Sequence, residues 1–310
     1  MNDSKTQQSM SIAGFLITLI GAILFSTKAI LVKLSFRDTG VDALTLLALR
    51  MSFSMPFYLV AAAISSKRMN NIRMTSRQWL YVILLGTLGY YLSSYLDFIG
   101  LQYVSAGLER LILFLYPSFA VIINAFLFGQ KINRIQKIAL VLTYIGIGIA
   151  YFGELKIDTR TPDFYWGSFL IFLCAITYSF YLAGSGRMIP VVGATKFTAY
   201  AMLASTSGVL IQFLLRGHFS DHILSSTLIH YSILLAVLAT VIPSFMLSYG
   251  IKRIGSNNVS IITSIGPVST ILQAHFILGD KIFAEQVAGT LLVITGVLMI
   301  GWQSTQGREI

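Results

Sequence analysis

Apolar residues in this chain do not alternate with polar ones. They run in long blocks separated by short polar gaps. A helix needs about 20 mostly apolar residues to cross a bilayer. That ruler predicts ten spans, at 11–35, 42–64, 79–99, 104–128, 135–153, 164–187, 194–215, 229–250, 257–278 and 285–303. The first block is too long for the apolar core of a signal peptide and is followed by many others, so no cleavable leader is expected.

Composition strengthens this reading. Of 310 residues, 55% are apolar and 11% charged, where soluble domains carry about 25% charged residues. The mean hydropathy of +0.77 agrees. The fold class is therefore all-α integral membrane, with the lipid bilayer as a partner. An excess of 22 Lys and Arg over 12 Asp and Glu would suggest nucleic acid if it clustered on one exposed face. Here the bases sit in the gaps, where they orient a membrane protein, and no nucleic-acid partner is expected. With the amino terminus inside, 13 of the 22 bases fall on inner segments, five on outer ones and four within spans. That bias predicts both termini on the cytoplasmic side. Cys174 lies alone in an apolar run, which rules out an intrachain disulfide.

Sliding the sequence by 150 positions aligns 81–146 with 231–296. Identities include Gly100 with Gly250, Pro117 with Pro267, Phe126 with Phe276, Gly129 with Gly279, Lys131 with Lys281 and Gly146 with Gly296. The chain thus reads as two five-helix repeats, 11–153 and 164–303. An odd number of spans per repeat turns the second upside down relative to the first. Inverted repeats can exchange conformations, which gives inward-open and outward-open states of similar energy, with a substrate site near the midplane.

The segment Gly21-Ala22-Ile23-Leu24-Phe25-Ser26-Thr27-Lys28, with Lys33, Leu49-Arg50, Gly100-Leu101-Gln102-Tyr103-Val104-Ser105-Ala106-Gly107, Tyr116-Pro117 and Gly129-Gln130-Lys131-Ile132, resembles the EamA-type branch of the drug/metabolite transporter superfamily. The resemblance covers about 11–303. It implies export or exchange of small metabolites, amino acids among them, without ATP, and location in the bacterial cytoplasmic (inner) membrane. Two features depart from the usual pattern: many relatives are neutral near position 28, and the Glu109-Arg110 pair is not a general feature.

Charged residues within the predicted spans include Lys28, Lys33, Arg50, Asp97, Glu109 and Arg110. Each costs about 2.5–3.5 kcal/mol at a helix centre, and less near an interface. Helical rise puts Lys28, Arg50 and Glu109 at similar depths toward the outer side, so the three can meet in one layer. Lys33 is close enough to a boundary to snorkel, and Asp97 reads as an ion-pair partner. Glu109 and Arg110 point about 100° apart, so one can line a cavity while the other braces a helix. Arg50 fits either a substrate contact or a structural bond. The excess of bases over acids favours a substrate with a carboxylate or other anionic group. Glu109 reads as a proton site or a charge partner.

Gly86, Tyr90, Ser93 and Asp97 form one stripe on the third span. Asn257, Ser260, Ser264 and Pro267 form another on the ninth. Such stripes serve a cavity or close helix packing equally well. The candidate substrate-binding residues are Lys28, Arg50, Glu109, Tyr90, Ser93, Tyr116, Tyr178, Tyr181 and Ser264. Pro117 and Pro267 are candidate gating points, because proline frees a backbone carbonyl in mid-span.

No phosphate loop, nucleophile elbow or Cys-x-x-Cys is present, and His218-x-x-x-His222 lacks a convincing third ligand. No enzyme activity, metal or cofactor is expected. The reading is a secondary transporter, monomer or homodimer, moving a small carboxylate-bearing metabolite such as an amino acid by alternating access. The alternative is an exporter of neutral or cationic drug-like compounds whose span charges are purely structural. A channel, a sensor or an intramembrane enzyme ranks below both.

Overall fold

The computed structural model describes residues 12–67, 73–128, 134–155, 163–217, 225–263 and 265–306. All regular structure among them is helical. α1 (Ile12–Thr39) and α2 (Ala43–Lys67) are joined at Gly40, whose φ of 64° is one that side-chain-bearing residues rarely adopt. Asp42 caps α2 by accepting from the Leu44 and Thr45 backbone N–H groups, each at 3.0 Å. α3 (Ser76–Gly86) passes through a π-helical segment (Thr87–Leu92) into α4 (Ser93–Gly100). α5 (Ala106–Leu113) and α6 (Tyr116–Phe128) are two pieces of one crossing, and α7 (Arg134–Leu155) completes the first half.

The second half follows the same plan. α8 (Phe164–Val192) and α9 (Ala194–Arg216) are separated by Gly193 alone, at φ 91°. α10 (Ser226–Ala236), a π-helical segment (Val237–Val241) and α11 (Ile242–Thr263) come next. Then come α12 (Gly266–Gln273), a π-helical segment (Ala274–Leu278) and α13 (Ala284–Gln306). α11 is helical throughout but not straight. A Cβ added at Gly250 would stand 3.3 Å from Val259 Cγ2, whereas nine residues of straight helix rise about 13.5 Å. The chain therefore doubles back within 251–258, and its two arms serve two crossings.

Among the described residues, six segments are long and apolar enough to cross a membrane by themselves: Ile12–Thr39, Ala43–Lys67, Ser76–Gly100, Phe164–Val192, Ala194–Arg216 and Ser226–Ile254. With broken and bent rods counted by crossing, the described residues form the ten helices of a membrane protein. Their outward faces are apolar, as lipid requires, with Ile12 at 78%, Phe126 at 84% and Phe276 at 80% exposure. Boundaries differ from the sequence reading chiefly at the sixth span. That span runs past 187 through Pro190 to Val192, because a proline in the last turn removes only one intrahelical bond.

Local structure repeats at the same offset as the sequence. The π-helical segments begin at Thr87 and Val237. Thr75 and Ser225 are the N-caps of the helices leading into them. The second pieces of the broken crossings start at Tyr116 and Gly266. α7 and α13 pack through glycine: a Cβ at Gly146 would lie 2.7 Å from Gly289 O, and one at Gly296 would lie 2.7 Å from Ala139 O. High numbers on one helix meet low numbers on the other, so the pair is antiparallel, and the two contacts exchange under the 150-residue shift. Small residues allow this approach between membrane helices.

Candidate functional site

The helices bring buried charge together from one half of the chain. Lys28 of α1 reaches across to α4, where its Nζ donates to Asp97 Oδ2 at 2.6 Å. Glu109 Oε1 of α5 stands 3.7 Å from the same ammonium. Lys28, Asp97 and Glu109 are all buried. Burial of unpaired charge is prohibitive, so mutual pairing is what makes three ionisable side chains tolerable here. Two carboxyl groups nevertheless share one ammonium. Asp97 Oδ1 and both Glu109 oxygens lack a hydrogen-bond donor.

Two guanidinium groups flank this trio. Arg50 of α2 is 3% exposed; its Nη2 donates to Ser94 Oγ at 3.0 Å, and its plane lies over the Phe98 ring at 4.7 Å. Arg110 of α5 is 4% exposed and lies 5.4 Å from the Phe25 ring centroid. Gly266 makes room for it: a Cβ there would stand 2.6 Å from Arg110 Nη2. The Nε of each arginine has no hydrogen-bond partner. Neither guanidinium has a carboxylate within 4.0 Å among the described residues, where the ion pairs are Lys28 with Asp97, Lys28 with Glu109 and Arg37 with Asp38.

An aromatic group adjoins these charges. Tyr90 and Tyr181 meet edge to face at 4.8 Å, with the Tyr181 hydroxyl donating to that of Tyr90 at 3.4 Å. Tyr178 stacks on Tyr181 at 5.8 Å and meets Tyr116 edge-on at 5.3 Å. Arg50 is within electrostatic reach of Tyr90, and Arg110 of Tyr116 and Tyr178. The π-helical segment of the third crossing makes part of this arrangement. It turns Gly89 onto Tyr181, close enough that a Cβ would collide with that ring's base.

The sequence candidates divide accordingly. Of the three residues that depth places in one layer, Lys28 and Glu109 meet. Arg50 bonds Ser94 rather than Glu109 and lies in a separate position beside Asp97. Tyr90, Tyr116, Tyr178 and Tyr181 form one cluster. Ser93 is buried and turns its hydroxyl back to the Gly89 carbonyl. Gly86 is a packing position, since a Cβ there would strike the Ala201 backbone of α9. Pro117 and Pro267 sit at the starts of α6 and α12, just after the turns at 114–115 and at 265. Ser264, His218 and His222 lie outside the described residues, and nothing is described of the Asn257 and Ser260 side chains. Lys33 lies near the end of α1, within electrostatic reach of Asp280. Burial pushes the Asp280 carboxyl above its ordinary range, and Lys33 pulls it partly back.

Three site residues were not singled out as candidates. Asp97 was visible as a span charge, but its spacing did not show that it would face Lys28 rather than an end group. Adjacency to Glu109 leaves open in the sequence whether Arg110 lines a cavity or braces a helix; the break after Leu113 and the room left by Gly266 give it a place of its own. Cys174, buried on α8, is in electrostatic reach of Lys28, Asp97 and Glu109.

The sequence model of the EamA-like transporter family matches this chain twice, at residues 12–152 and 165–302. The uncharacterized transporter YcbK of Bacillus subtilis (strain 168) is 29% identical over 296 residues, covering 92% of both chains. An uncharacterized transporter of Archaeoglobus fulgidus is 22% identical, covering 92% of this chain and 94% of its own length. The uncharacterized inner membrane transporter YicL of Salmonella typhimurium is 19% identical, covering 94% and 96%. A solved crystal structure superposes with a TM-score of 0.67 at 18% identity, over 96% of this chain and 99% of that one. That likeness speaks to the fold.

Proposed function

The chain belongs to the EamA-like transporter family and is a membrane transporter rather than an enzyme; from that premise we propose that it carries a small organic metabolite bearing a carboxylate, by export or exchange. The observation that carries this reading is the pair of buried guanidinium groups, Arg50 and Arg110, each with an unpartnered Nε and no carboxylate within ion-pair distance. An anion between them offsets charge that the fold alone leaves uncompensated. A guanidinium is also suited to grip a carboxylate through two parallel hydrogen bonds. Lys28 completes the basic lining, with Glu109 as its charge partner. The tyrosines at 90, 116, 178 and 181 supply an apolar wall with hydroxyl tips, where Ser93 adds a small polar group.

Movement follows from the two halves. In this reading they lie inverted in the bacterial inner membrane with both termini cytoplasmic, and they exchange conformations to open the site to either side. The breaks before Pro117 and Pro267 are the hinges, because each leaves backbone carbonyls without helical partners and so permits reorientation at low cost.

A second reading has one observation in its favour. Lys28 is already held by two acids, and the tyrosine cluster suits a cation or a neutral aromatic compound. Proteoliposomes loaded with a pool of neutral amino acids, dicarboxylates, aromatic compounds and organic cations separate the two. Mass spectrometry of the released solutes, with Arg50→Gln and Lys28→Gln beside the wild type, is the readout. The proposal expects carboxylate-bearing solutes to move and to slow at least tenfold in both variants. Selective movement of cations, at equal rates in all three proteins, would overturn it.

A further inference from the structure

The acid pair supports an inference about energy coupling that rests on the carboxylate reading in its transport step alone. Asp97 and Glu109 are each 0% exposed. Lys28 Nζ serves both, at 2.6 and 3.7 Å. Two ionised carboxylates have no donor to offer each other, yet these two crowd onto one ammonium and present three oxygen atoms with no donor. One added proton supplies the missing donor and removes the repulsion between like charges in a dry site.

Among the described residues, three cations and a thiol stand in reach of this pair, and only Lys28 is within ion-pair distance of it. From α1 comes Lys28, from α2 Arg50 in reach of Asp97, and from α5 itself Arg110 in reach of Glu109. α8 contributes the buried thiol of Cys174. α7 turns Arg134, Lys137 and Tyr144 outward, and α12 contains no titratable residue.

We propose that Asp97 and Glu109 form a proton-binding site, and that its proton travels in the same direction as the substrate's carboxylate. Lys28 couples the two. With the pair unprotonated, the ammonium is held between two negative groups, and a third carboxylate there meets repulsion. With one proton bound the trio is neutral, and Lys28 can turn toward the incoming anion. The proton comes from water on the loading side, adds to a carboxyl oxygen, and returns to water on the far side. One proton and one monocarboxylate together carry no net charge, so the movement is electroneutral.

The first test needs no substrate. Infrared difference spectra of the full chain in lipid, titrated from mildly alkaline to mildly acidic pH, report the carbonyl stretch of a protonated carboxylic acid and its shift in deuterium oxide. The expected result is one such band near neutrality, lost in Glu109→Gln and lost or shifted in Asp97→Asn. No band in the wild type, or a band unchanged in both variants, would overturn the proposal; the wild-type spectrum decides even if a variant fails to fold. The second test uses wild-type proteoliposomes and a pool of monocarboxylates without amino groups. Accumulation above that of protein-free vesicles should follow an imposed pH gradient and ignore a potassium diffusion potential set with valinomycin. Accumulation that follows the potential and ignores pH sinks the coupling. No movement of any carboxylate sinks the substrate reading instead, while the spectroscopic band still decides the proton site.

Discussion

The two halves share a backbone plan and differ in chemistry. Both carry a π-helical segment, a capped entry to it and a broken crossing at matching positions. The first half sets Lys28, Arg50, Asp97, Glu109 and Arg110 on that frame. The corresponding residues 150 positions on are Tyr178, Tyr200, Leu247, Val259 and Ser260. The comparison teaches that bends and crossings do not need the charges. A fold kept in the half without them is set by apolar faces, caps and glycine contacts; the charges are an addition with a function to justify their cost.

Removing one charge from the group should have the largest effect. Asp97→Leu, which installs the residue of the second half, leaves Lys28 with only Glu109 at 3.7 Å. It should lower stability by roughly 3–5 kcal/mol, because breaking a buried pair strands a charge. Replacing the trio together, as Lys28→Met with Asp97→Leu and Glu109→Val, should recover most of that loss and abolish transport. Unfolding in detergent or by steric trapping in bilayers measures both. A triple variant as unstable as the single one would break the comparison.

The π-helical segments give the next contrast, since Gly89 corresponds to Ala239. Gly89→Ala drives a methyl into the base of Tyr181 and should cost about 1–3 kcal/mol as an overpacked site. Ala239→Gly should cost about 0.5–1 kcal/mol through backbone entropy alone. Equal losses would mean that the tyrosine wall yields without resistance. A smaller step is Tyr90→Phe, which removes the 3.4 Å contact with Tyr181. It should cost about 0.5–1.5 kcal/mol in thermal unfolding, and affinity should change more than stability if the hydroxyl faces substrate.

The smallest effect belongs to Asp280, where the first half has Gln130. Its carboxyl is pushed up by burial, so the ionised form is the disfavoured one in the fold. The strain is present above the folded-state pKa and disappears as pH falls through it, so stability should rise slightly on mild acidification. Asp280→Asn should remove that slope in melting-temperature series; an unchanged slope would assign it elsewhere.

Much of the frame was legible in the sequence because bilayer thickness imposes one ruler on every crossing. Pro117 and Pro267 marked the two breaks in advance. The π-helical segments left no such mark: Thr87–Leu92 holds no proline, and an extra residue in a turn does not disturb an apolar run. The site was half legible. Charges inside spans announce themselves, but which of them meet depends on helix rotation. That is why depth groups Lys28, Arg50 and Glu109 in one layer but does not show that Arg50 turns to Ser94 instead.

The Lys28 trio has a consequence for how the chain is made. α1, α4 and α5, which supply its three members, all precede the second half in the order of synthesis. The lysine waits in the bilayer only until the fourth crossing emerges, and its partners are then at hand before α12 exists to cover them. Neutralisation is completed within the first nascent half, so the translocation machinery can release that half without holding an isolated ammonium in lipid. The later helices, whose corresponding positions are uncharged, can insert in any order that their apolar faces allow.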